Sequence, residues 1–179
     1  MTAALPCLAL ALLCVLCAAA EVPVQPGFDT QKFAGKWHFA ATVSNCSVYL
    51  KMKDGMKSAI ATISFTPEGN LAMKLAWPLP DRCQRLELLF QRSGQAGHYM
   101  AQEKKELRVM ETDYSHYAIV HETQHSKQQP NTMLQLLTRE QDVSPQLLQK
   151  FEELIPTVGL TKAMLAVLPK SDQCTGAIS

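Results

Sequence analysis

The segment His121-Glu122-Thr123-Gln124-His125 has residue types and a spacing that suggest chemistry, because it matches the H-E-x-x-H signature of zinc peptidases. That chemistry needs a helix, which brings the two histidines one turn apart onto a single metal ion. Here the motif continues the β-type run Tyr117-Ala118-Ile119-Val120. In a strand, positions i and i+4 lie roughly 13 Å apart, too far for one zinc ion to bridge. We therefore predict no metal site in this segment, and the remaining histidines have no metal-ligand spacing.

The cysteines are the second set of reactive side chains. Three of the six lie within residues 1–20, and the other three are Cys46, Cys83 and Cys174. A bridge from Cys83 to Cys174 would close a long loop, which stabilises a fold by about 4–5 kcal/mol in the chain-entropy model. Cys46 would then remain as a spare thiol, with a reactive or dimer-forming cysteine as the alternative. It lies in the sequon Asn45-Cys46-Ser47, which predicts a glycosylated surface site at Asn45.

The first 20 residues have the pattern of a secretory signal peptide. They carry no charged side chain and end in Ala18-Ala19-Ala20, an A-x-A cleavage site. An uncleaved membrane anchor is the alternative, although the run is short for a span. We predict a signal peptide over residues 1–20 and one secreted, extracellular domain over residues 21–179, with no membrane span. The near balance of 17 Lys and Arg with 16 Asp and Glu argues against a nucleic-acid partner.

Short β-like runs separated by turn residues occupy most of the domain. A helical turn capped by Asp29 precedes them, and the polar stretch from Lys51 to Gly55 is expected to form a loop. Eight strands are predicted, at 37–43, 57–66, 71–77, 84–91, 98–103, 106–111, 117–124 and 132–139. Because their connections are short, they predict an antiparallel meander, and eight strands close into a barrel that can hold one small ligand.

The pattern changes after the eighth strand. Ser144 and Pro145 are good residues to begin a helix, and the apolar residues that follow share one helical face up to Pro156. Residues 165–168 could add a short last strand. The predicted fold is therefore all-β, an eight-stranded antiparallel up-and-down β-barrel with one C-terminal α-helix packed outside.

Three short motifs resemble a known family. Gly35-Lys36-Trp37 enters the first strand, Thr112-Asp113-Tyr114 lies between the sixth and seventh, and Arg139 ends the eighth. With the barrel-then-helix order, they resemble the lipocalin family over essentially the whole domain. Within the family, the chain resembles lipocalin-15 and the group of the lipocalin-type prostaglandin D synthases and the avian extracellular fatty-acid-binding protein.

The resemblance implies roles for these motif residues. Gly35, Trp37, Thr112, Asp113, Tyr114 and Arg139 would be architectural, with the Arg139 guanidinium over the Trp37 indole at the closed end of a lipocalin calyx. It also implies a disulfide between Cys83 and Cys174.

The resemblance to prostaglandin D synthases raises the question of catalysis. That chemistry needs a thiolate in the pocket, carried on the second strand. Counted without gaps from Ser44-Asn45, the position of that cysteine is occupied by Ala59, and Cys46 lies well before it. We therefore predict that the chain is not an enzyme and has no cofactor. A prostaglandin D2 synthase-like isomerase is the disfavoured alternative.

Strand alternation and the resemblance together predict which side chains line the barrel. If Arg139 points inward, then Met133, Gln135 and Leu137 on the same strand do so as well. By resemblance, the sixth and seventh strands contribute Leu107, Val109, Ala118, Val120 and Glu122. This mainly aliphatic lining predicts a site for a small hydrophobic molecule with some polar character. The alternative is that several of these side chains only fill the core, as they do in small barrels.

We predict a monomeric secreted carrier that binds and transports a fatty acid, a retinoid or a similar lipid, with a Cys46-linked dimer as the alternative state. Siderophore capture is the alternative ligand class, and it needs several cations that converge in the lumen. The candidate cations are Lys74, Arg85, Lys105 and Arg108.

Overall fold

The computed structural model of the protein describes residues 21–178. The predicted signal peptide lies outside the described residues. The strands are β1 Gly35–Ser44, β2 Ile60–Phe65, β3 Leu71–Pro78, β4 Cys83–Arg92, β5 His98–Ala101, β6 Lys105–Thr112, β7 Tyr117–Gln124, β8 Asn131–Thr138 and β9 Leu165–Val167. The α-helices are α1 Thr30–Phe33, α2 Ser47–Met52 and α3 Pro145–Leu154.

Strands β1 to β8 form a closed barrel. Each strand is antiparallel to the next, and β1 pairs with both β8 and β2, which closes the sheet. The short strand β9 pairs with β1 over Ala41–Val43 and lies outside this circuit. This pairing confirms the predicted eight-stranded antiparallel barrel. The prediction succeeded because short connections favour pairing between strands that are neighbours in sequence.

Strands β1 and β6 each contain a bulge. One residue of each strand, Ala40 and Met110, falls out of the pairing register. An extra residue reverses the alternation of inward and outward side chains. In β1, therefore, both Phe39 before the bulge and Thr42 after it line the lumen. The extra residues Ala40 and Met110 belong instead to the apolar layer beneath α3.

Helix α3 packs outside the barrel, as the sequence predicted. It begins where the Ser144 hydroxyl accepts a hydrogen bond from the Leu147 N–H group at 3.2 Å, with Pro145 at its first position. Phe151 of this helix is fully buried between the helix and the outer barrel wall. A second apolar core, separate from this layer, lies largely inside the barrel.

The stretch from Lys51 to Gly55 is helical, so the prediction of a polar loop there was wrong. Helix α2 is followed by a 3-10 turn at Lys53–Gly55. Tyr49 anchors α2, because its side chain is buried and its hydroxyl lies 2.7 Å from the Thr42 carbonyl oxygen. Burial raises the pKa of Tyr49 to about 12. A helix of six residues is too short to show periodicity in a sequence, and tertiary contacts are what stabilise it.

Cys83 and Cys174 form the expected disulfide, with their Cα atoms 5.6 Å apart. The bond holds the C-terminal segment against the outside of the barrel, where Cys174 packs with Ile60 and Ala76. Within residues 21–178, no helix combines the length and the apolar character that crossing a bilayer requires.

Candidate functional site

Arg139 closes one end of the barrel. The centre of its guanidinium group lies 3.7 Å from the centroid of the Trp37 ring. Gly35 adopts φ +109°, and a Cβ atom there would meet an Arg139 nitrogen at 3.2 Å, so this close approach favours glycine. The guanidinium donates hydrogen bonds at 2.8–3.1 Å to the main-chain carbonyl oxygens of Lys32, Ala34, Lys36 and Tyr114. These contacts are architectural and leave this end shut.

Thr112, Asp113 and Tyr114 build the turn between β6 and β7. A carboxylate oxygen of Asp113 accepts hydrogen bonds from two main-chain N–H groups of the turn, at 2.8 and 2.9 Å. The Thr112 hydroxyl donates to the Tyr117 carbonyl oxygen at 2.6 Å. Tyr114 adopts φ +67°, and its carbonyl accepts one of the Arg139 hydrogen bonds. The turn therefore supports the arginine that closes the barrel.

The opposite end of the barrel opens into a cavity of about 450 Å³. Its polar groups are the side chains of Thr42, Lys57 and Gln135. The rest of the wall is apolar or backbone, from Phe39, Met52, Gly55, Met56, Ala59, Leu75, Trp77, Pro78, Leu79, Pro80, Met133 and Leu168. Apolar cavities of roughly 300–1,000 Å³ with a few placed polar groups are typical of sites for small molecules.

The cavity lies where β1 and β2 separate. These strands pair only from Gly35 to His38 of β1, and further along β1 the strand β9 takes the place of β2. The segment after β9 bridges the gap, because the Leu168 N–H group donates to the Ala40 carbonyl and the Pro169 carbonyl accepts from Ser58, both at 2.9 Å. This bridge brings the Leu168 side chain into the cavity wall.

The lower half of the barrel is packed with side chains. A small void of about 10 Å³ lies below the cavity. Two of the side chains predicted to line the lumen, Met133 and Gln135, border the main cavity. The others surround the small remnant or are buried in the core around it, namely Leu107, Val109, Ala118, Val120, Glu122 and Leu137. These six residues form the floor beneath the cavity.

Only one of the four cations considered for siderophore capture faces the lumen. Lys105 lies with its ammonium nitrogen 3.3 Å from a Glu122 carboxylate oxygen and 5.7 Å from the centroid of the buried Phe90 ring. Its charge is therefore already paired. Arg108 contacts carboxylates outside the barrel. The other two, Lys74 and Arg85, are exposed on the outer face, since they pair in register with outward-facing residues.

The cavity wall contains alanine where a synthase would need a cysteine. Ala59 borders the cavity directly. Cys46, the free thiol among the described residues, is half-buried just before α2 and packs against the edge of the barrel core. Its neighbour Asn45 is half-buried, and its side-chain oxygen accepts a hydrogen bond from the Thr132 N–H group at 2.8 Å.

The H-E-x-x-H segment is extended, since β7 contains its first four residues. His121 is buried on the outer side of the barrel wall, and burial lowers its pKa to about 4. His125 and His98 each hydrogen-bond to the Glu106 carboxylate, at 3.1 and 2.6 Å. Within residues 21–178, no group of three or more His, Cys, Asp or Glu side chains is arranged to hold a metal ion.

The comparisons with known proteins agree with this architecture. The family described as lipocalin / cytosolic fatty-acid binding protein matches residues 34–172. The chain belongs to the lipocalin family. It is 37% identical to lipocalin-15 from Homo sapiens over 159 residues, which covers 88% of this chain and 86% of that protein. It is 36% identical to the extracellular fatty acid-binding protein of Coturnix japonica over 170 residues, 94% of each chain.

An enzyme and a siderocalin are also among the similar proteins. This lipocalin is 28% identical to prostaglandin-H2 D-isomerase from Equus caballus over 166 residues, covering 88% of this chain and 86% of the enzyme. Its fold matches the solved structure of the siderocalin Ex-FABP, described as functioning through dual ligand specificities, with a TM-score of 0.71 and 33% identity. That match covers 78% of this chain and 95% of the siderocalin.

The sequence predictions missed most of the cavity wall. Leu75 and Trp77 alternate along β3, so their inward direction could have been read from the sequence. Thr42 could not, because the bulge at Ala40 reverses the alternation. Leu168 reaches the cavity only through tertiary hydrogen bonds, which leave no signal in the sequence.

Proposed function

We propose that this lipocalin is a secreted, non-enzymatic carrier that binds one small amphipathic lipid, such as a fatty acid or a retinoid, in the cavity at the open end. The observation that carries the proposal is the cavity itself, with about 450 Å³ of space, apolar walls and three polar side chains. The pattern of residues 1–20 supports secretion, as does the similarity to extracellular fatty acid-binding proteins.

The polar groups suggest how such a ligand would lie. Lys57 is exposed and borders the cavity, so it suits an anionic headgroup at the entrance. The hydrocarbon part would pack against Phe39, Trp77 and Met133. Gln135 borders both the cavity and the packed floor, where its amide could hydrogen-bond to a polar group at the inner end of the ligand. In this pose the deeper predicted lumen residues support the floor and do not contact ligand.

Two other functions have less support. Siderophore capture needs converging cations, and of the four candidates only Lys105 faces inward, where Glu122 pairs with it. Prostaglandin isomerisation needs an inward thiolate, and Ala59 stands at the expected position while Cys46 packs at the core edge beyond the cavity wall. A lipid ligand is therefore favoured over both.

Titration with a fluorescent fatty acid tests the proposal. Ala59→Phe places a ring in the cavity, and we expect it to weaken binding at least tenfold. Ala72→Phe is the matched control, because Ala72 belongs to the outer side of the neighbouring strand β3 and pairs with the exposed residue Leu89. Binding by Ala72→Phe should stay within twofold of the wild type.

Thermal unfolding of both variants shows whether they fold. Equal binding by Ala59→Phe and the wild type, or no binding of fatty acids and retinoids by the wild type, would refute the proposed function.

A further inference from the structure

The open end of the barrel exposes apolar side chains beside the cavity. Val48, Leu50 and Met52 are 63%, 37% and 57% exposed, and all three lie on the six-residue helix α2. They are half of the large hydrophobic side chains that are exposed among residues 21–177. Met52 also borders the cavity. This apolar surface therefore continues directly into the cavity wall.

Cations accompany these apolar side chains. Lys51 is exposed on the same helix, and Lys57 is exposed at the cavity entrance. We call Val48, Leu50, Lys51, Met52 and Lys57 the mouth patch. Helix α2 presents this mixed surface because Tyr49 occupies its inner face and fixes its rotation.

The loops at the two ends of the barrel differ in charge. The connections at the open end, residues 45–59, 79–82, 102–104 and 125–130, contain six Lys or Arg and three Asp or Glu. Those at the closed end, residues 66–70, 93–97, 113–116 and 139–144, contain four Asp or Glu and one Arg. Such a charge separation orients the molecule in an electric field, with its open end toward a negative surface.

We propose that the mouth patch docks on an anionic lipid bilayer, so that the cavity opens toward the membrane surface during ligand exchange. Exposed apolar residues among lysines are the composition that binds the interface of anionic membranes. A protein receptor is the alternative occupant, and it would not require the loops at the two ends of the barrel to differ in charge. The part concerning exchange rests on the proposed function, whereas docking itself needs no ligand.

Vesicle co-sedimentation measures docking without ligand. The purified protein is mixed with vesicles of phosphatidylcholine alone or of a one-to-one mixture with phosphatidylserine, after enzymatic removal of any sugar on Asn45, which adjoins the patch. We expect binding to the mixed vesicles at low salt, weaker binding at high salt, and little binding to phosphatidylcholine. Absence of binding to the anionic vesicles overturns the proposal and leaves a protein partner as the occupant.

A pair of double variants locates the docking surface. Val48→Ala with Lys51→Ala removes one apolar side chain and one cation from α2, and alanine preserves the helix. A lysine near an anionic surface contributes about fivefold in affinity, so with the lost valine contact we expect about a tenfold loss. Leu89→Ala with Lys74→Ala is the matched control on the outer wall, where Leu89 is 55% exposed. Equal loss in both double variants would refute docking through the mouth.

Binding of the fluorescent fatty acid distinguishes the proposed lipid binding from the proposed membrane docking. Neither Val48 nor Lys51 borders the cavity, so the first double variant should bind the probe in solution as tightly as the wild type. Transfer of the probe from the wild type to anionic vesicles should become faster as the vesicle concentration rises. In the double variant, the transfer rate should rise less steeply with vesicle concentration. A transfer rate independent of vesicle concentration refutes exchange at the membrane. Failure of the wild type to bind both this probe and retinoids refutes the proposed function and leaves docking to be decided by co-sedimentation.

Discussion

Replacing Arg139 by methionine should destabilise this lipocalin more than most single substitutions. Methionine keeps an apolar side chain over the Trp37 ring but removes the charge and every donor. The hydrogen bonds to the Lys32 and Lys36 carbonyls are exposed, so water can replace them. The bonds to the Tyr114 and Ala34 carbonyls are partly buried, at 2.9 and 3.1 Å, and their loss is not compensated.

The magnitude follows from these partly buried contacts. A hydrogen bond to a charged group contributes about 1.5 kcal/mol at the lower end of its range, and two of them contribute about 3 kcal/mol. The cation–π contact with Trp37 adds about 1 kcal/mol. We therefore expect the free energy of unfolding to fall by about 4 kcal/mol, which lowers the melting temperature by about 8–16 °C for a domain of this size.

Urea unfolding of the variant and the wild type measures this difference. Arg85→Met is the matched control, because Arg85 is an exposed arginine on the outer side of β4, and it should change stability by at most about 0.5 kcal/mol. Arg139→Lys should fall between the two, since an ammonium group keeps the charge but not the planar fork of donors. A loss below about 1 kcal/mol for Arg139→Met would refute the view that its partly buried hydrogen bonds hold the closed end.

Two further predictions concern the disulfide and pH. Replacing Cys83 and Cys174 by alanine should lower the free energy of unfolding by about 4–5 kcal/mol in urea, because the bond closes a loop with a sequence separation of 91 residues; a change as small as that of Cys46→Ala would contradict this. Burial lowers the pKa of His121 to about 4. Between about pH 6.5 and 4, the unfolded chain therefore binds a proton that the folded chain does not. The free energy of unfolding consequently falls as the pH falls through this range. We expect this group to contribute about 3 kcal/mol to that loss. In His121→Asn, the free energy of unfolding should therefore fall by about 3 kcal/mol less over the same pH range. An equal fall in the variant and the wild type would contradict the assignment.

The barrel could be predicted because its information is local. Short apolar runs with period two, separated by turn residues, indicate strands, and short connections allow few topologies other than an antiparallel meander. The cap of α3 at Ser144 and the pairing of Cys83 with Cys174 also agree with the structure. Helix α2 was missed because its stability comes from the burial of Tyr49, a contact with residues distant in sequence.

The cavity could be predicted only in part. Alternation from Arg139 placed Met133 and Gln135 on a strand face that borders it. The same rule selected residues such as Leu107 and Val120, which lie in the packed floor. Alternation gives the face of a strand but not the depth at which the lumen becomes hollow, since that depth depends on how side chains from opposite strands fill the space.

The sequence by itself determined the strand count, because strands depend on periodicity along single segments. The closed end and the disulfide followed from the motif residues and cysteines that resemble the lipocalin family. The tertiary structure decided where the ligand space lies. The bulge at Ala40 turns Thr42 inward, and the departure of β2 from β1 opens the gap that Leu168 helps to close. These features arise from packing among strands and segments far apart in the chain, so no single stretch of sequence contains them.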